Sequence, residues 1–318
     1  MKVLVTGGAG FIGSHVVDRL LEDDRQVVVL DDFSSGKRRN VNRAAKVYKV
    51  DIRSRRLEHI FQIERPHVVM HLAAQINVRT SVDHPLLDAD INVLGTINVV
   101  NHAVKYGVQK LIFSSSGGAI YGEQRVYPAP ESHPTNPMSP YGISKLCGEH
   151  YLSYFQRANQ IGVVCLRYAN VYGPRQDPEG EAGVVSMFLH KMLANGQPVI
   201  NGDGTQTRDF VYVEDVAEAN VLAMGKSFHG AYNVGTGIET SINELFHSLA
   251  ELTGSRCKEV HGPAKQGEQL RSVIDPTRIK QDLGWEPKVD FSVGLKKTVS
   301  YFCKHLGGRT EEYRTNVA

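Results

Sequence analysis

Tyr141 and Lys145 stand four residues apart in Tyr141-Gly-Ile-Ser-Lys145, and Ser116 lies 25 residues upstream at the end of an apolar run. Together these side chains can take a proton from an alcohol and hold the oxyanion that results. A phenol is a weak base at its ordinary pKa of about 10, and an ammonium one helical turn away on the same face favours the phenolate. A hydroxyl nearby then hydrogen-bonds the oxygen as its proton leaves. Spacing alone does not single this pair out, because Tyr106 and Lys110 repeat it just ahead of another apolar run. The elements around each pair have to decide.

Short apolar runs alternate with helix-period stretches through the first half of the chain. The pattern predicts strands at 2–6, 26–30, 46–50, 67–71, 110–114 and 162–166, with helices at 11–21, 57–64, 81–105 and 141–158 between them. Strands that are apolar throughout and spaced by helices indicate a parallel sheet covered on both faces, the doubly wound α/β architecture. Ligands of such sheets sit at the carboxyl ends of the strands. After about residue 170 the rhythm changes. Residues 173–183 have loop composition, and Asn201-Gly-Asp-Gly204 reads as a turn between short strands at 199–200 and 208–213. Helices are expected again at 214–224, 241–252, 276–283 and 292–304. The expected organisation is a dinucleotide-binding domain over 1–170, to which some later segments return, a smaller mixed α/β substrate lobe over 171–306, and a frayed tail over 307–318.

Thr6-Gly7-Gly8-Ala9-Gly10-Phe11-Ile12-Gly13 follows the first strand and opens a helix. Glycines there allow a tight turn and close approach of the backbone to a pyrophosphate, whose charge faces the helix N-terminus. Asp31, 18 residues past Gly13 and followed by Asp32, ends the second strand. A carboxylate at that point accepts both ribose hydroxyls of NAD and repels the 2'-phosphate of NADP. Asp51, with Ile52 beside it, follows the third strand and is placed either to meet the adenine edge or to cap its own turn. Leu72-Ala73-Ala74 after the fourth strand is small and apolar, as a wall along the cofactor should be.

With these motifs in view, the chain resembles the extended short-chain dehydrogenase/reductase family, and within it the nucleotide-sugar 4-epimerases of the UDP-glucose/UDP-galactose type. The likeness runs from residue 1 to about 305. Thr-Gly-Gly-x-Gly-x-x-Gly, Asp31-Asp32, His71-Leu-Ala-Ala, Ser-Ser-Ser116, Tyr-x-x-x-Lys and Asn170-Val-Tyr-Gly-Pro174 carry it. It implies a Rossmann domain holding NAD and a C-terminal lobe holding a nucleoside diphosphate sugar. Tyr141 and Lys145 match the family's catalytic pair, which also touches the cofactor, while Tyr106 and Lys110 match nothing. Counting 25 residues back from Tyr141 selects Ser116 as the catalytic hydroxyl, whereas counting back from Tyr121-Gly122 selects Gly117. Only a hydroxyl can act, so Ser116 is expected, with Ser115 second.

The same stretch separates reactions. Family members that eliminate water or carbon dioxide place acidic residues where this chain has Gly117-Gly118, and an epimerase-reductase of the fucose-synthase kind would want a cysteine not seen here. Epimerisation at C4 through a transient 4-keto sugar is the reading that remains, and the glycine pair would leave room for the turning ring. UDP-glucuronate epimerisation, an NDP-sugar dehydratase or 4-ketoreductase, and a non-catalytic NAD-sensing protein are the competing readings.

For the sugar nucleotide, the resemblance points to Asn170 for the sugar or diphosphate and to Arg208 for the diphosphate, since a guanidinium grips phosphate oxygens bidentately. Lys265 stands where many members carry a second arginine, two residues before the glycine of Gly267-Glu268. Arg271 would compensate, unless it pairs with Glu268 or Asp275. Val184, Val185 and Phe188 match a segment that packs on the nucleotide, although core packing would explain them equally. Ser272 falls where epimerases restricted to glucose and galactose often carry a bulky tyrosine, so UDP-N-acetylglucosamine is an expected substrate as well. A homodimer through the helices over 88–105 and 141–159 is also implied.

The bulk properties exclude several other classes. A formal charge of +2 over 318 residues gives no nucleic-acid or membrane surface, and the basic run Lys37-Arg38-Arg39 reads as a solvated loop. Cys147, Cys165, Cys257 and Cys303 are too scattered for a metal motif or a disulfide framework, so no metal is expected. The N-terminus enters a core strand at once and no apolar run approaches a spanning helix, which fits a cytosolic protein.

Overall fold

Val3-Leu4-Val5, Val27-Val28-Val29-Leu30 and Val68-Val69-Met70 have no polar side, so strands made of them must bury both faces. The structure, a computed structural model, describes residues 1–178, 183–225, 228–265 and 269–305. The Gly267-Glu268 step and the tail from Gly307 lie outside the described residues. Strands run in chain order as β1 (Lys2–Thr6), β2 (Gln26–Asp31), β3 (Lys46–Lys49), β4 (Val68–His71), β5 (Lys110–Ser116), β6 (Gly162–Tyr168), β7 (Asn170–Tyr172), β8 (Ile200–Asn201), β9 (Thr207–Arg208), β10 (Phe210–Tyr212), β11 (Gly230–Val234), β12 (Thr240–Ser241), β13 (His261–Gly262) and β14 (Arg271–Ser272). Seven of them form one sheet in the order β3-β2-β1-β4-β5-β6-β11, parallel throughout.

Helices α1 (Phe11–Glu22), α2 (Arg56–Glu64), α3 (Val78–Asp83), α4 (Pro85–Ala89), α5 (Gly95–Lys105), α6 (Gly117–Ile120), α7 (Pro140–Asn159), α8 (Val184–Leu193), α9 (Val213–Leu222), α10 (Ile242–Thr253), α11 (Thr277–Leu283) and α12 (Phe291–His305) complete the described chain. One face of the sheet buries Val3, Val5, Val27 and Val29 against Val16, Val17, Val216 and Trp285. The opposite face buries Leu4, Val28, Leu30 and Val69 against Leu57, Phe61, Val99 and Leu152. A third core joins Tyr172, Phe188, Phe210, Phe246 and Phe302 around the short sheets of the second half. Because β2 and β3 lie to one side of β1 and β4 to the other, the chain reverses direction there, and a crevice opens at the carboxyl ends of β1 and β4.

Three local expectations differ from what is found. The single helix at 81–105 is broken into α3, α4, a π-helical turn at Asp90–Leu94, and α5. Pro85 has no N–H to continue α3 and instead starts α4 at its first position. The turn at 201–204 does not join a hairpin: β8 pairs in parallel with β13, and β9 pairs with β12 and β14. Gly202 and Gly204 both take positive φ, and Asn243 Nδ2 donates to Asp203 O at 2.9 Å, so the turn is filled by α10. Finally, β5 extends to Ser116, which puts that residue at the last position of the strand. Among the described residues no helix is long and apolar enough to cross a membrane.

Candidate active site

The crevice is a cavity of about 580 Å³ lined by residues from the carboxyl ends of β1, β2, β4, β5 and β6. Of the residues expected at the cofactor, Gly7, Gly10, Phe11, Ile12, Gly13, Asp31, Asp32, Asp51, Ile52, Leu72, Ala73 and Ala74 all line it. Backbone geometry explains the glycines. Gly7 has φ +70° and a Cβ there would lie 2.7 Å from Ala73 N, while a Cβ on Gly13 would lie 2.1 Å from Gly7 O. The strand-to-helix turn therefore closes only without side chains, and it leaves the start of α1 bare for an anion. Asp31 is fixed by two backbone donors, Ala9 N to Oδ2 at 2.9 Å and Phe33 N to Oδ1 at 2.8 Å. Burial raises its pKa and those bonds oppose the rise. This cradle, with a carboxylate at one end and an apolar wall along its length, fits a dinucleotide with free ribose hydroxyls. Asp51 is held by Arg53, whose backbone N (2.8 Å) and Nε (3.0 Å) both donate to Oδ1, and the guanidinium bond lowers its pKa.

At the other end of the cavity stand Ser116, Tyr141 and Lys145. Ser139 caps α7 by accepting from Gly142 N, and Pro140 occupies the first position, so Tyr141 emerges in the first turn and Lys145 one turn later. Alternation along β5 sorts the three serines. The Ser114 hydroxyl bonds Tyr168, the Ser116 hydroxyl bonds Tyr141, and Ser115 points to the opposite face, donating to Glu149 Oε1 at 2.5 Å. Glu149 in turn pairs with Arg167 at 2.7 Å, so Ser115 is committed to a buried ion pair. Lys145 Nζ donates to Ser114 O at 2.8 Å and lies 5.7 Å from the centre of the Tyr141 ring. Burial lowers its pKa to about 8, and the Asp88 carboxylate opposes that. Tyr141 moves upward: burial dominates, Asp88 adds to it, and the Ser116 bond works against both. The protein side chains alone thus keep the phenol protonated near neutral pH.

The rival pair separates. Tyr106 OH donates to Glu58 at the end of α5, whereas Lys110 lies on β5 and donates to the carbonyls of Gly225 and Phe228.

Beyond Ser116 the expected sugar-nucleotide residues divide. Asn170 lines the cavity, and a Cβ on Gly118 would lie 3.7 Å from Asn170 Oδ1 and 3.9 Å from Ser272 Oγ, so these three residues converge. Arg208 pairs with Ser272 across β9 and β14, and its Nη1 donates to Thr207 O at 2.8 Å. Arg271, facing the other way, grips Glu239 at 2.6 and 2.8 Å and covers the Tyr127 ring at 3.8 Å; among the described residues its carboxylate partner is therefore Glu239 and not Asp275, and Glu268 lies outside them. Val185 and Phe188 are buried in the third core, with Phe188 edge-on to Phe246, and Val184 packs partly against them. That is the core packing weighed against nucleotide contact for these residues. Lys265 is exposed on the loop after β13.

The glycine pair also divides. A Cβ on Gly117 would meet Ile274 Cδ1 at 2.8 Å and Arg167 O at 3.3 Å, so its smallness serves packing, and only Gly118 borders the sugar end. Gln176 had no sequence signal beyond lying six residues past Asn170. It lines the cavity, its Nε2 donates to Val171 O at 3.1 Å, and its buried Oε1 has no partner among the described residues. Among the described residues the carboxylates lining the cavity are Asp31, Asp32 and Asp51, all at the end next to the glycine turn. Among the described residues no group of three His, Cys, Asp or Glu side chains could hold a metal ion.

Comparison with known proteins agrees with this geometry. The sequence model of the NAD dependent epimerase/dehydratase family matches residues 3–235. A UDP-glucose 4-epimerase from Thermotoga maritima, solved with UDP-glucose, is 50% identical, with a TM-score of 0.95 over 96% of this chain and 100% of that one. One from Thermus thermophilus, solved with NAD, is 45% identical, with a TM-score of 0.91 over 95% of this chain and 99% of its own. A UDP-N-acetylglucosamine 4-epimerase from Methanobrevibacter ruminantium, in complex with UDP-N-acetylmuramic acid, is 36% identical, with a TM-score of 0.91 over 96% and 98%.

Proposed function

The chain belongs to the NAD dependent epimerase/dehydratase family, and from that premise we propose that it inverts C4 of UDP-glucose and UDP-galactose through a transient 4-keto sugar. One observation carries the reading. Ser116 bonds Tyr141 beside Lys145 in a cavity whose described carboxylates all lie at the far end, so a proton can be exchanged at one hydroxyl and, among the described residues, no carboxylate is placed to eliminate water.

Residues 1–170 would hold NAD, with Gly7, Gly10 and Gly13 bordering the pyrophosphate and Asp31 the ribose, and 171–306 would hold the sugar nucleotide. Bound NAD supplies a reversible hydride acceptor and, when oxidised, a positive charge in the cavity. Tyr141, ionised with that help and with the Lys145 cation near its ring, takes the proton from the sugar 4-hydroxyl and later returns it. Ser116 hydrogen-bonds the same oxygen in both steps. Asn170, Arg208 and Lys265 would meet the sugar and diphosphate. Tyr141→Phe is expected to lower turnover by at least about a thousandfold while NAD stays bound. Substantial turnover followed by NMR at sugar C4 would remove Tyr141 from the role of base.

The small Ser272 beside Gly118 and Asn170 supports acceptance of an N-acetyl group at C2, and the M. ruminantium relative acts in the same sense. An exposed apolar face on adjoining helices, with Leu86, Leu94, Ile143, Tyr151 and Tyr154, supports a homodimer. Light scattering giving the mass of one chain would exclude it. The four cysteines are free, which suits a cytosolic enzyme.

A further inference from the structure

Asp88, on α4, takes no part in the chemistry described above, yet its carboxylate is only 1% exposed and reaches the catalytic helix. Its Oδ2 accepts from the Oγ of Ser144, the residue before Lys145, at 2.6 Å. Oδ1 accepts from Gln75 Nε2 at 3.0 Å and from Asn92 Nδ2 at 2.9 Å. Gln75 lines the cavity just past β4, and Asn92, in the π-helical turn, binds the Gln75 backbone by accepting from its N and donating to its O, each at 2.8 Å. One buried side chain therefore ties together the cavity wall, the π-helical turn and the helix bearing Tyr141 and Lys145.

All three donors to Asp88 are neutral, so its charge is not cancelled at contact and acts on what lies nearby. The neighbouring charged groups are otherwise engaged. Asp90 pairs with Arg53 at 2.6 Å, Asp83 lies 4.0 Å from Arg79 at the surface, His84 is exposed, and burial keeps His71 neutral. The groups left to feel the Asp88 charge are Lys145 and Tyr141, whose proton affinities it raises.

We propose that Asp88 is a positioning residue that also acts through its charge. It fixes the turn that carries Tyr141 and Lys145, and its negative charge holds Lys145 protonated in a dry site. The same charge opposes ionisation of Tyr141, so it sets the pH range in which a phenolate and an ammonium coexist. The inference rests on reading those two residues as base and supporting cation. Removing an anion lowers the pKa of every group that feels it. Asp88→Asn should therefore move both limbs of the pH–rate profile toward acid by about one pH unit, with a fall in kcat at neutral pH. Ser144→Ala keeps the charge and loses one bond, so it should lower kcat without moving the limbs.

A readout independent of turnover is the Lys145 side-chain resonance in lysine-¹³C-labelled, NAD-loaded protein, assigned by its loss in Lys145→Met. Its midpoint should fall in Asp88→Asn and stay in place in Ser144→Ala, and Asp88→Ser serves as a second variant should the amide crowd the site. An unchanged Lys145 midpoint in the charge-removing variant overturns the proposal. Activity surviving in Tyr141→Phe would instead overturn the reading of the base, and leaves the resonance result to be judged by itself.

Discussion

Gly7, Gly10, Gly13 and Asp31 at the proposed cofactor end come from one strand-turn-helix unit and the strand after it, while Ser116, Gly118, Asn170, Gln176 and Ser272 at the proposed sugar end come from three widely separated stretches of the chain. At the first end main-chain atoms are forced so close that a methyl group cannot be added, and the Asp31 carboxylate is held by backbone N–H groups. At the second end, side chains on short strands and loops face one another with space between them. The cofactor end should thus be intolerant and unspecific about the sugar, whereas the sugar end should be tunable by single side chains.

The largest expected effect tests the intolerant end. Gly13→Val would place carbon within 2.1 Å of Gly7 O, and the purified variant should contain no bound NAD. Wild-type NAD content in that variant would break the comparison. Next, Gly117→Ala pushes against Ile274 and the Arg167 carbonyl and should lower unfolding stability by about 1–3 kcal/mol, measured by denaturant titration. Gly118→Ala meets only ordinary contacts, so its stability should be unchanged; equal losses would show that both glycines serve packing. The smallest effect is the most selective: Ser272→Tyr should reduce turnover of UDP-N-acetylglucosamine about tenfold or more relative to UDP-glucose. Equal effects on both sugars would show that Ser272 is no gate.

The contrast also explains what could be read from the sequence. The six strand regions of the first half and the glycine turn were legible because local pattern and local geometry coincide there. Ser116 was legible only as a count, and the alternation along β5 that turns Ser115 toward Glu149 becomes visible once the strand is known to run to Ser116. Pairings in the second half were not legible, since two-residue strands such as β8 and β14 find partners far away in sequence and carry no periodic signal. Arg271 illustrates the cost: its partner, Glu239, sits on no motif and meets it only through the packing of β9, β12 and β14. Asp88 is hidden for a related reason, lying in a helix that Pro85 and the π-helical turn separate from the longer one expected there.

The central claim is that hydrogen leaves sugar C4 and returns to it within one site while Tyr141 handles the proton. UDP-galactose carrying deuterium at C4, incubated with the NAD-loaded protein in ordinary water, tests this directly by mass spectrometry and NMR. The account predicts UDP-glucose of unchanged mass with the deuterium still at C4. Loss of that label to solvent, or a product lighter by one water, would contradict it.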